Sequence, residues 1–131
     1  MNKIIGDFPE FNFRLNKNFS FRPPKTIFYN NHYDCTDTDF KLLVLHEVSH
    51  ALLKHRDFRL DVERVKMENE AWEKARELAI KYCVRINEDL IQEKLDSYRD
   101  WLYSKSKCKK CGLTRYQTLD RKYHCPKCEM E

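Results

Sequence analysis

The fold of this chain is organised around the segment Leu42-Leu43-Val44-Leu45-His46-Glu47-Val48-Ser49-His50-Ala51-Leu52-Leu53. It contains the pattern H-E-x-x-H inside an apolar run of helical character. Residues four apart on a helix share a face, so His46 and His50 present their rings side by side. Two such imidazoles supply half of a zinc site, and Glu47 stands one step round the helix, in the position of a general base.

A helix over about residues 38–55 is predicted to carry this motif. Leu42, Leu43 and Leu53 fall within about 60° of His46 on a helical projection. The two histidines therefore belong to the inward stripe of the helix. Hydrogen-bonded core histidines would produce the same pattern, but the helical context favours a metal site.

The remaining pattern predicts an α+β fold. Period-two alternation indicates three short strands, expected to be antiparallel, over about 11–15, 19–21 and 26–29. Helical periodicity predicts a second helix over about 60–83 and a third from near Asn87, followed by a polar linker around 104–107. The chain has only two glycines and no Gly-rich phosphate-binding pattern, which excludes the common nucleotide-binding loops.

The C-terminal region contains a second motif, which is based on cysteines. Its pattern, C-x₂-C-x₁₃-C-x₂-C, is typical of a zinc ribbon that holds a structural ion on four thiolates, from Cys108, Cys111, Cys125 and Cys128. We therefore predict two domains, a zincin-like domain at 1–105 and a four-cysteine zinc ribbon at 106–131. Residues 105–131 carry eight basic and three acidic side chains. This excess permits weak docking of protein or nucleic acid through Lys109, Lys110, Arg115, Tyr116, Arg121 and Lys122.

A third ligand is needed to complete a catalytic zinc site on the H-E-x-x-H helix. His55 lies five residues after His50 and is predicted to face away from His46 on the helix. Glu70, on the second helix, is the favoured ligand, because a helical return of that length brings it opposite the two rings. The alternatives are Glu63, Glu73, His32 and His124.

The segments His46–His55 and Glu68–Ala75 resemble the ImmA/IrrE family of zinc metallopeptidases. The resemblance covers about residues 25–80 and implies a compact metallopeptidase domain with His46, His50 and Glu70 as ligands and Glu47 as general base. It further implies a substrate such as a cytoplasmic regulator or repressor. The chain departs from the family pattern at Trp72, where a small polar residue is usual.

A second resemblance is to SprT-like proteins, which join an H-E-x-x-H domain to a C-terminal four-cysteine ribbon and act on proteins at DNA. Their third ligand is a downstream histidine, for which this chain offers no convincing equivalent. A non-catalytic module that binds protein or nucleic acid, with zinc as a structural element, is the alternative from another class.

The expected function is thus zinc-dependent hydrolysis of peptide bonds in protein substrates, with one catalytic and one structural zinc. An oxyanion-stabilising donor is also required, and Tyr29, His32, Tyr33 and His55 all remain candidates. The sequence lacks a signal peptide and a membrane-length apolar run, and its cysteines are spaced as in metal sites. We therefore expect a cytoplasmic protein with no membrane partner.

Overall fold

The computed structural model of the chain describes residues 2–30 and 37–130. These residues form two compact units. The first unit comprises the described residues up to Arg56 together with Asn69–Glu88, and the second comprises Asp57–Glu68 and the described residues from Asp89 onward. The cysteine motif belongs to the second unit, and the division into domains at 1–105 and 106–131 stays a prediction.

Helices and short strands both contribute to the described residues, so the predicted α+β class is confirmed. The helices are α1 (Asn2–Asp7), α2 (Asp37–Leu52), α3 (Asp61–Lys81) and α4 (Glu88–Ser106), with a 3-10 turn at Cys128–Met130. The strands are β1 (Asn12–Leu15), β2 (Ser20–Arg22), β3 (Thr26–Tyr29), β4 (Tyr116–Gln117) and β5 (Tyr123–His124). Three helices and three strands lie where the sequence predicts them, whereas α1 was not predicted.

The first three strands form one sheet in the order β1-β3-β2. β2 and β3 are antiparallel, but β1 runs parallel to β3, with Asn12 opposite Thr26 and Leu15 opposite Tyr29. The prediction of a wholly antiparallel sheet is therefore wrong for β1. Alternation of apolar and polar residues fixes which face of a strand is buried, but not which edge of the sheet it joins or in which direction.

The core of the first unit is built around α2. Every residue from Leu42 to Ala51 is buried, so α2 is enclosed on all sides over this stretch. Ile27 of β3 is fully buried in the same unit, as are several small or aromatic residues of α3, namely Ala71, Trp72, Ala75 and Ala79. The H-E-x-x-H motif thus lies in the interior of the protein.

Two helices of this unit end in the same way, with a residue in the left-handed conformation. Lys54 has φ 57° after α2, and Cys83 has φ 55° after α3. The N–H of His55 then donates to the carbonyl oxygen of His50 at 3.0 Å, and the N–H of Val84 donates to that of Ala79 at 2.8 Å. This is the Schellman arrangement, which reverses the chain sharply and satisfies the last carbonyl groups of the helix.

In the second unit, Asp61 joins the start of α3 to the β4–β5 hairpin. Its backbone N–H donates to Oε1 of Gln117 at 2.6 Å, and its carboxylate accepts the hydroxyl of Tyr123 at 2.7 Å. Nζ of Lys105, at the end of α4, lies 3.2 Å from the same carboxylate. The hairpin is therefore fixed to the first turn of α3 by side chains as well as by the chain connection.

Asp61 and Tyr123 perturb each other's ionisation. Burial raises the pKa of Asp61, but hydrogen bonds from Tyr123 and the charge of Lys105 outweigh it, so the pKa lies below its ordinary value of 3.8. Burial and the hydrogen bond to Asp61 raise the pKa of Tyr123 to about 12.

Among the described residues, none of the helices has the length and apolar character needed to cross a membrane.

Candidate metal centres

The two histidines of the motif face each other on α2. The Nε2 atoms of His46 and His50 are 3.2 Å apart. A tetrahedral zinc ion with Zn–N bonds of about 2.0–2.1 Å separates two ligand nitrogens by about 3.3 Å. The spacing of the two ring nitrogens therefore fits a shared zinc ion.

Glu68 completes a three-residue group with these histidines. One carboxylate oxygen of Glu68 and one ring nitrogen from each of His46 and His50 lie within 4.8 Å of one another, and all three residues are buried. Glu68 lies on α3, a single unbroken helix that continues directly into the buried residues Ala71 and Trp72. A donor set of two histidines and one glutamate is able to hold a divalent metal.

Glu70, the predicted third ligand, does not belong to this group of three. Two residues along a helix correspond to a rotation of about 200°, so Glu68 and Glu70 point to nearly opposite sides of α3. Oε2 of Glu70 is 3.4 Å from Nε2 of His55, and the Glu70 side chain is 42% exposed. The structure therefore assembles the metal-capable group with Glu68 in the place that the sequence reasoning gave to Glu70.

A signal for Glu68 was present in the sequence but was missed. Glu68 precedes Ala71 by three residues and Trp72 by four, so it extends the buried stripe of α3 by one turn toward the N-terminus. An acid that continues an apolar stripe must be buried, and a buried carboxylate requires a partner. Glu63 and Glu73, the alternatives considered, are both exposed.

Aromatic rings hold the two histidines in place. The ring of Trp72 stacks on His46 with centroids 3.9 Å apart and an interplanar angle of 22°. The ring of Phe21 lies parallel to His50 at 6.4 Å, with an interplanar angle of 1°. Trp72 thus has a structural role, because this side chain forms the wall behind His46.

His55 is not on α2, because the helix ends at Leu52 rather than near residue 55 as predicted. The left-handed Lys54 turns the chain back, and Nδ1 of His55 lies 2.9 Å from Nδ1 of His50. His55 therefore contacts a candidate metal ligand without belonging to the group of three. The projection that placed it away from the site assumed a helix that does not extend so far.

The other predicted residues of the catalytic site are distributed as follows. Glu47 is buried on α2, next to His46. Tyr29 is half-buried at the end of β3 and contacts the ring of Phe40. His32 and Tyr33 lie outside the described residues. His124 belongs to the hairpin of the second unit, where its Nδ1 pairs with Glu129 at 2.7 Å.

The four cysteines of the ribbon motif come together in the second unit. All four sulfur atoms lie within 4.8 Å of one another. Sγ of Cys108 is 3.8 Å from that of Cys128, and Sγ of Cys111 is 3.5 Å from that of Cys125. A tetrahedral zinc ion with Zn–S bonds of about 2.3 Å separates its sulfurs by about 3.8 Å, so the cluster fits zinc.

The backbone of the first cysteine turn favours the thiolate form. Hydrogen bonds from the N–H groups of Cys111 and Lys110 lower the pKa of the Cys108 thiol to about 6. A hydrogen bond from the N–H of Cys128 lowers the pKa of Cys125. Gly112, with φ 78°, supplies the left-handed residue that lets the first turn close, as the sequence predicts.

Part of the basic surface predicted for the ribbon is used internally. The guanidinium of Arg115 donates to the carbonyl oxygen of Lys105 and lies 5.1 Å from the ring centre of Tyr123. The guanidinium of Arg121 donates to the carbonyl oxygen of Phe58 at 2.6 Å. The exposed members of the predicted set are Lys109, Lys110, Tyr116, Arg121 and Lys122.

Comparisons with models of known protein families, with curated proteins and with solved structures find no match for this chain.

Proposed function

We propose that this protein is a zinc-dependent metallopeptidase, an endopeptidase that cuts protein substrates, with a structural zinc in its C-terminal ribbon. The observation that carries the proposal is the convergence of His46, His50 and Glu68, beside Glu47 of the same motif. Three protein ligands that leave a fourth position open are the composition of a catalytic rather than a structural zinc site. We propose Glu68 in place of Glu70 as the third ligand.

The residues of the chain have distinct roles in this proposal. His46, His50 and Glu68 would hold the ion, which when bound supplies Lewis acidity toward the substrate carbonyl group and the attacking water. Glu47 takes a proton from the water and delivers it to the amine that leaves. Burial of the motif limits access of bulk water, which strengthens electrostatic interactions in the site.

Replacement of Glu47 by Gln tests the catalytic role. Glu47→Gln removes the base but none of the three ligands, so we expect two zinc ions per chain and loss of proteolysis by about 100-fold or more. The substrate is sought as a protein that accumulates in cells producing the Glu47→Gln form. Each candidate is then tested for cleavage by the purified native protein. Exposed Glu73 provides the matched control, and Glu73→Gln is expected to retain activity.

Metal content separates the enzyme from the non-catalytic alternative. His46→Ala and His50→Ala are each expected to lower the zinc content from two ions per chain to one. An unchanged content of one ion in the native protein and in both variants would leave only the ribbon zinc and would exclude the catalytic proposal. Retained proteolysis by Glu47→Gln on a validated substrate would instead show that the base is assigned wrongly.

The third ligand is identified by a set of glutamate variants on α3. Glu68→Ala is expected to release the zinc of the histidine site, whereas Glu63→Ala and Glu73→Ala are expected to retain it. Release by Glu70→Ala with retention by Glu68→Ala would instead support the assignment made from sequence. Circular dichroism of each variant confirms that α3 is intact.

Docking of nucleic acid by the ribbon is a second, additional candidate function. It is favoured by the exposed side chains of Lys107 and Lys109, which border a cavity of about 510 Å³ that is also lined by Tyr103, Ser104, Cys108 and Gly112. Binding of single-stranded DNA that weakens steeply with salt and is lost in the Lys107→Glu/Lys109→Glu variant is the expected result. Unchanged binding in that variant would contradict this role for the cavity.

A further inference from the structure

His55 and Glu70 extend the histidine site by a chain of polar contacts. Nδ1 of His50 is 2.9 Å from Nδ1 of His55, and Nε2 of His55 is 3.4 Å from Oε2 of Glu70. The His55 side chain is 10% exposed, so little water competes for its ring nitrogens. The three side chains therefore form a continuous path from a candidate metal ligand to a partly exposed carboxylate.

Backbone geometry, and not flexibility of the side chain, brings His55 to this position. The Schellman turn after α2 places Lys54 at φ 57° and lets the N–H of His55 bond to the carbonyl of His50. Residue 50 and residue 55 are thus joined twice, by backbone and by ring nitrogens. The reach of His55 toward His50 follows directly from the way in which the helix ends.

The Glu70 carboxylate determines which ring nitrogens of His55 and His50 carry a proton. A carboxylate only accepts hydrogen bonds, so Nε2 of His55 must carry the proton that it donates to Glu70. In a neutral His55 ring, Nδ1 is then an acceptor, and Nδ1 of His50 must donate to it. The remaining nitrogen of His50, Nε2, carries no proton and presents its lone pair toward Nε2 of His46.

We infer that His55 and Glu70 are positioning residues that set the tautomer and ring orientation of His50 for metal binding through Nε2. This inference rests on the proposed function, because it concerns a metal bound by His50. Ligating histidines commonly donate their second ring N–H to an acceptor that orients them and raises their basicity. Here the acceptor is a second histidine, which is itself oriented by Glu70.

The two ligands are consequently held by different means. His46 is fixed by the stacked ring of Trp72, and His50 by hydrogen bonds in addition to the ring of Phe21. Both ring nitrogens of His55 are engaged, which favours a positioning role over the oxyanion-stabilising role considered from sequence. Glu70 acts through His55 and does not itself reach the metal.

Zinc affinity and NMR of the full-length protein test this inference. The affinity of the histidine site is measured by competition with a chromophoric chelator, using the His46→Ala/His50→Ala double variant to define the contribution of the ribbon. His55→Ala is expected to weaken zinc binding at this site by about 10- to 100-fold. Glu70→Ala is expected to weaken it less, and Glu70→Gln to restore most of the loss because its amide oxygen still accepts from His55.

Histidine ¹⁵N shifts provide a readout that general destabilisation would not imitate. In the zinc-loaded native protein we expect the metal on Nε2 of His50 and a slowly exchanging proton on Nδ1. In His55→Ala that proton is expected to exchange rapidly. Metal on Nδ1 of His50, or equal affinity and exchange in His55→Ala, would overturn the inference.

The outcomes distinguish this inference from the proposed function. If His46→Ala and His50→Ala release one zinc but His55→Ala changes neither affinity nor proton exchange, only the positioning role fails. If neither histidine variant releases zinc, the proposed metal site itself fails. Glu73→Ala deletes an exposed carboxylate of the same helix and so controls for the change in net charge. It is expected to leave the zinc affinity unchanged.

Discussion

The two candidate metal centres of this chain are built on opposite principles. His46 and His50 project from one long helix, and buried residues and stacked rings surround them. The cysteine cluster lies in a segment with two strands of two residues each and one short 3-10 turn. Within residues 107–129, the buried side chains are those of Cys108 and Cys125 themselves.

This difference predicts what each centre requires from a metal ion. The helix brings its two ring nitrogens together through spacing alone, and the core of the first unit holds them there. The ribbon has almost no apolar core, so a bound ion and its thiolates would supply the stability that packing supplies elsewhere. The histidine site is expected to persist without metal, whereas the ribbon is expected to require it.

The largest expected effect is the loss of the ribbon structure in Cys125→Ser. Structural zinc sites contribute about 10–16 kcal/mol of apparent binding free energy to folding, so loss of a ligand should unfold residues 107–129. Amide hydrogen exchange at Thr118, whose N–H donates to the carbonyl oxygen of Lys122, is expected to become fast, while exchange at Val44 and Leu45 stays slow. Cys83→Ser, at an exposed thiol, is the control. Persistent protection of the β4–β5 hairpin would show that the ribbon folds without its metal.

The second effect concerns packing around the histidine site. Trp72 is 1% exposed, and Trp72→Ala is expected to cost about 3–5 kcal/mol of unfolding free energy, measured by urea denaturation. Trp101, half-buried on α4 beside Arg64 and Lys105, provides the comparison in the other unit, and a smaller loss is expected for Trp101→Ala. Equal losses would show that the deeper burial of Trp72 does not make its contribution to stability larger than that of Trp101.

A third, pH-dependent effect tests the anchoring of the ribbon by Asp61. Because the pKa of Asp61 is lowered in the folded protein, its contribution is present above its ordinary value of 3.8 and is lost as pH falls through the folded pKa. The raised pKa of Tyr123, about 12, adds stability that is present below pH 10 and is lost as pH rises toward 12. Both limbs of the stability profile involve the Asp61–Tyr123 pair, together with the burial of both groups and, at the acidic limb, the charge of Lys105.

Replacement of Asp61 by Asn should flatten this profile. We expect Asp61→Asn to lower the unfolding free energy at pH 7 by about 1.5–3 kcal/mol, the range for hydrogen bonds to charged groups, and to leave it nearly unchanged once the native carboxylate is protonated below its lowered pKa. Unfolding is followed between pH 2 and pH 12. Asp100→Asn, at an exposed position on α4, should reproduce the native profile. A native profile in Asp61→Asn would contradict the anchoring role.

The smallest effect is a gain. Lys54 holds a left-handed conformation that glycine adopts without steric cost, so Lys54→Gly is expected to raise the unfolding free energy by about 0.5–1 kcal/mol. Lys74→Gly, in the interior of α3, should lower it by about 1 kcal/mol. In the ribbon, Gly112→Ala makes the opposite change at φ 78° and is expected to destabilise. Thermal unfolding of the three variants provides the comparison.

Local spacing predicted both candidate metal centres, because each pattern carries its own geometry. The H-E-x-x-H motif specifies positions on one helix, and the C-x-x-C pairs specify two tight turns, one of them with Gly112 in the required conformation. These groups require no knowledge of how distant elements pack. Both histidines and all four cysteines were therefore identified individually from the sequence, and the structure brings each set together as expected.

What the sequence did not predict depends on long-range packing or on element ends. Glu68 was not among the ligands considered from the sequence, although its helical phase with Ala71 and Trp72 indicated burial. His55 was misplaced because nothing in the sequence marks Lys54 as the left-handed residue that ends α2. The parallel pairing of β1 and the existence of α1 likewise depend on partners distant in the chain.

The anchored first turn of α3 also sets the direction in which later side chains of that helix project. Asp61 is fixed to the hairpin of the ribbon, and Glu68 follows it by seven residues, close to two full turns, so both carboxylates lie on the same side of the helix. Each residue inserted between them would rotate Glu68 by about 100° and advance it by about 1.5 Å. Insertions or deletions in this short segment would therefore move Glu68, a candidate metal ligand, relative to Asp61.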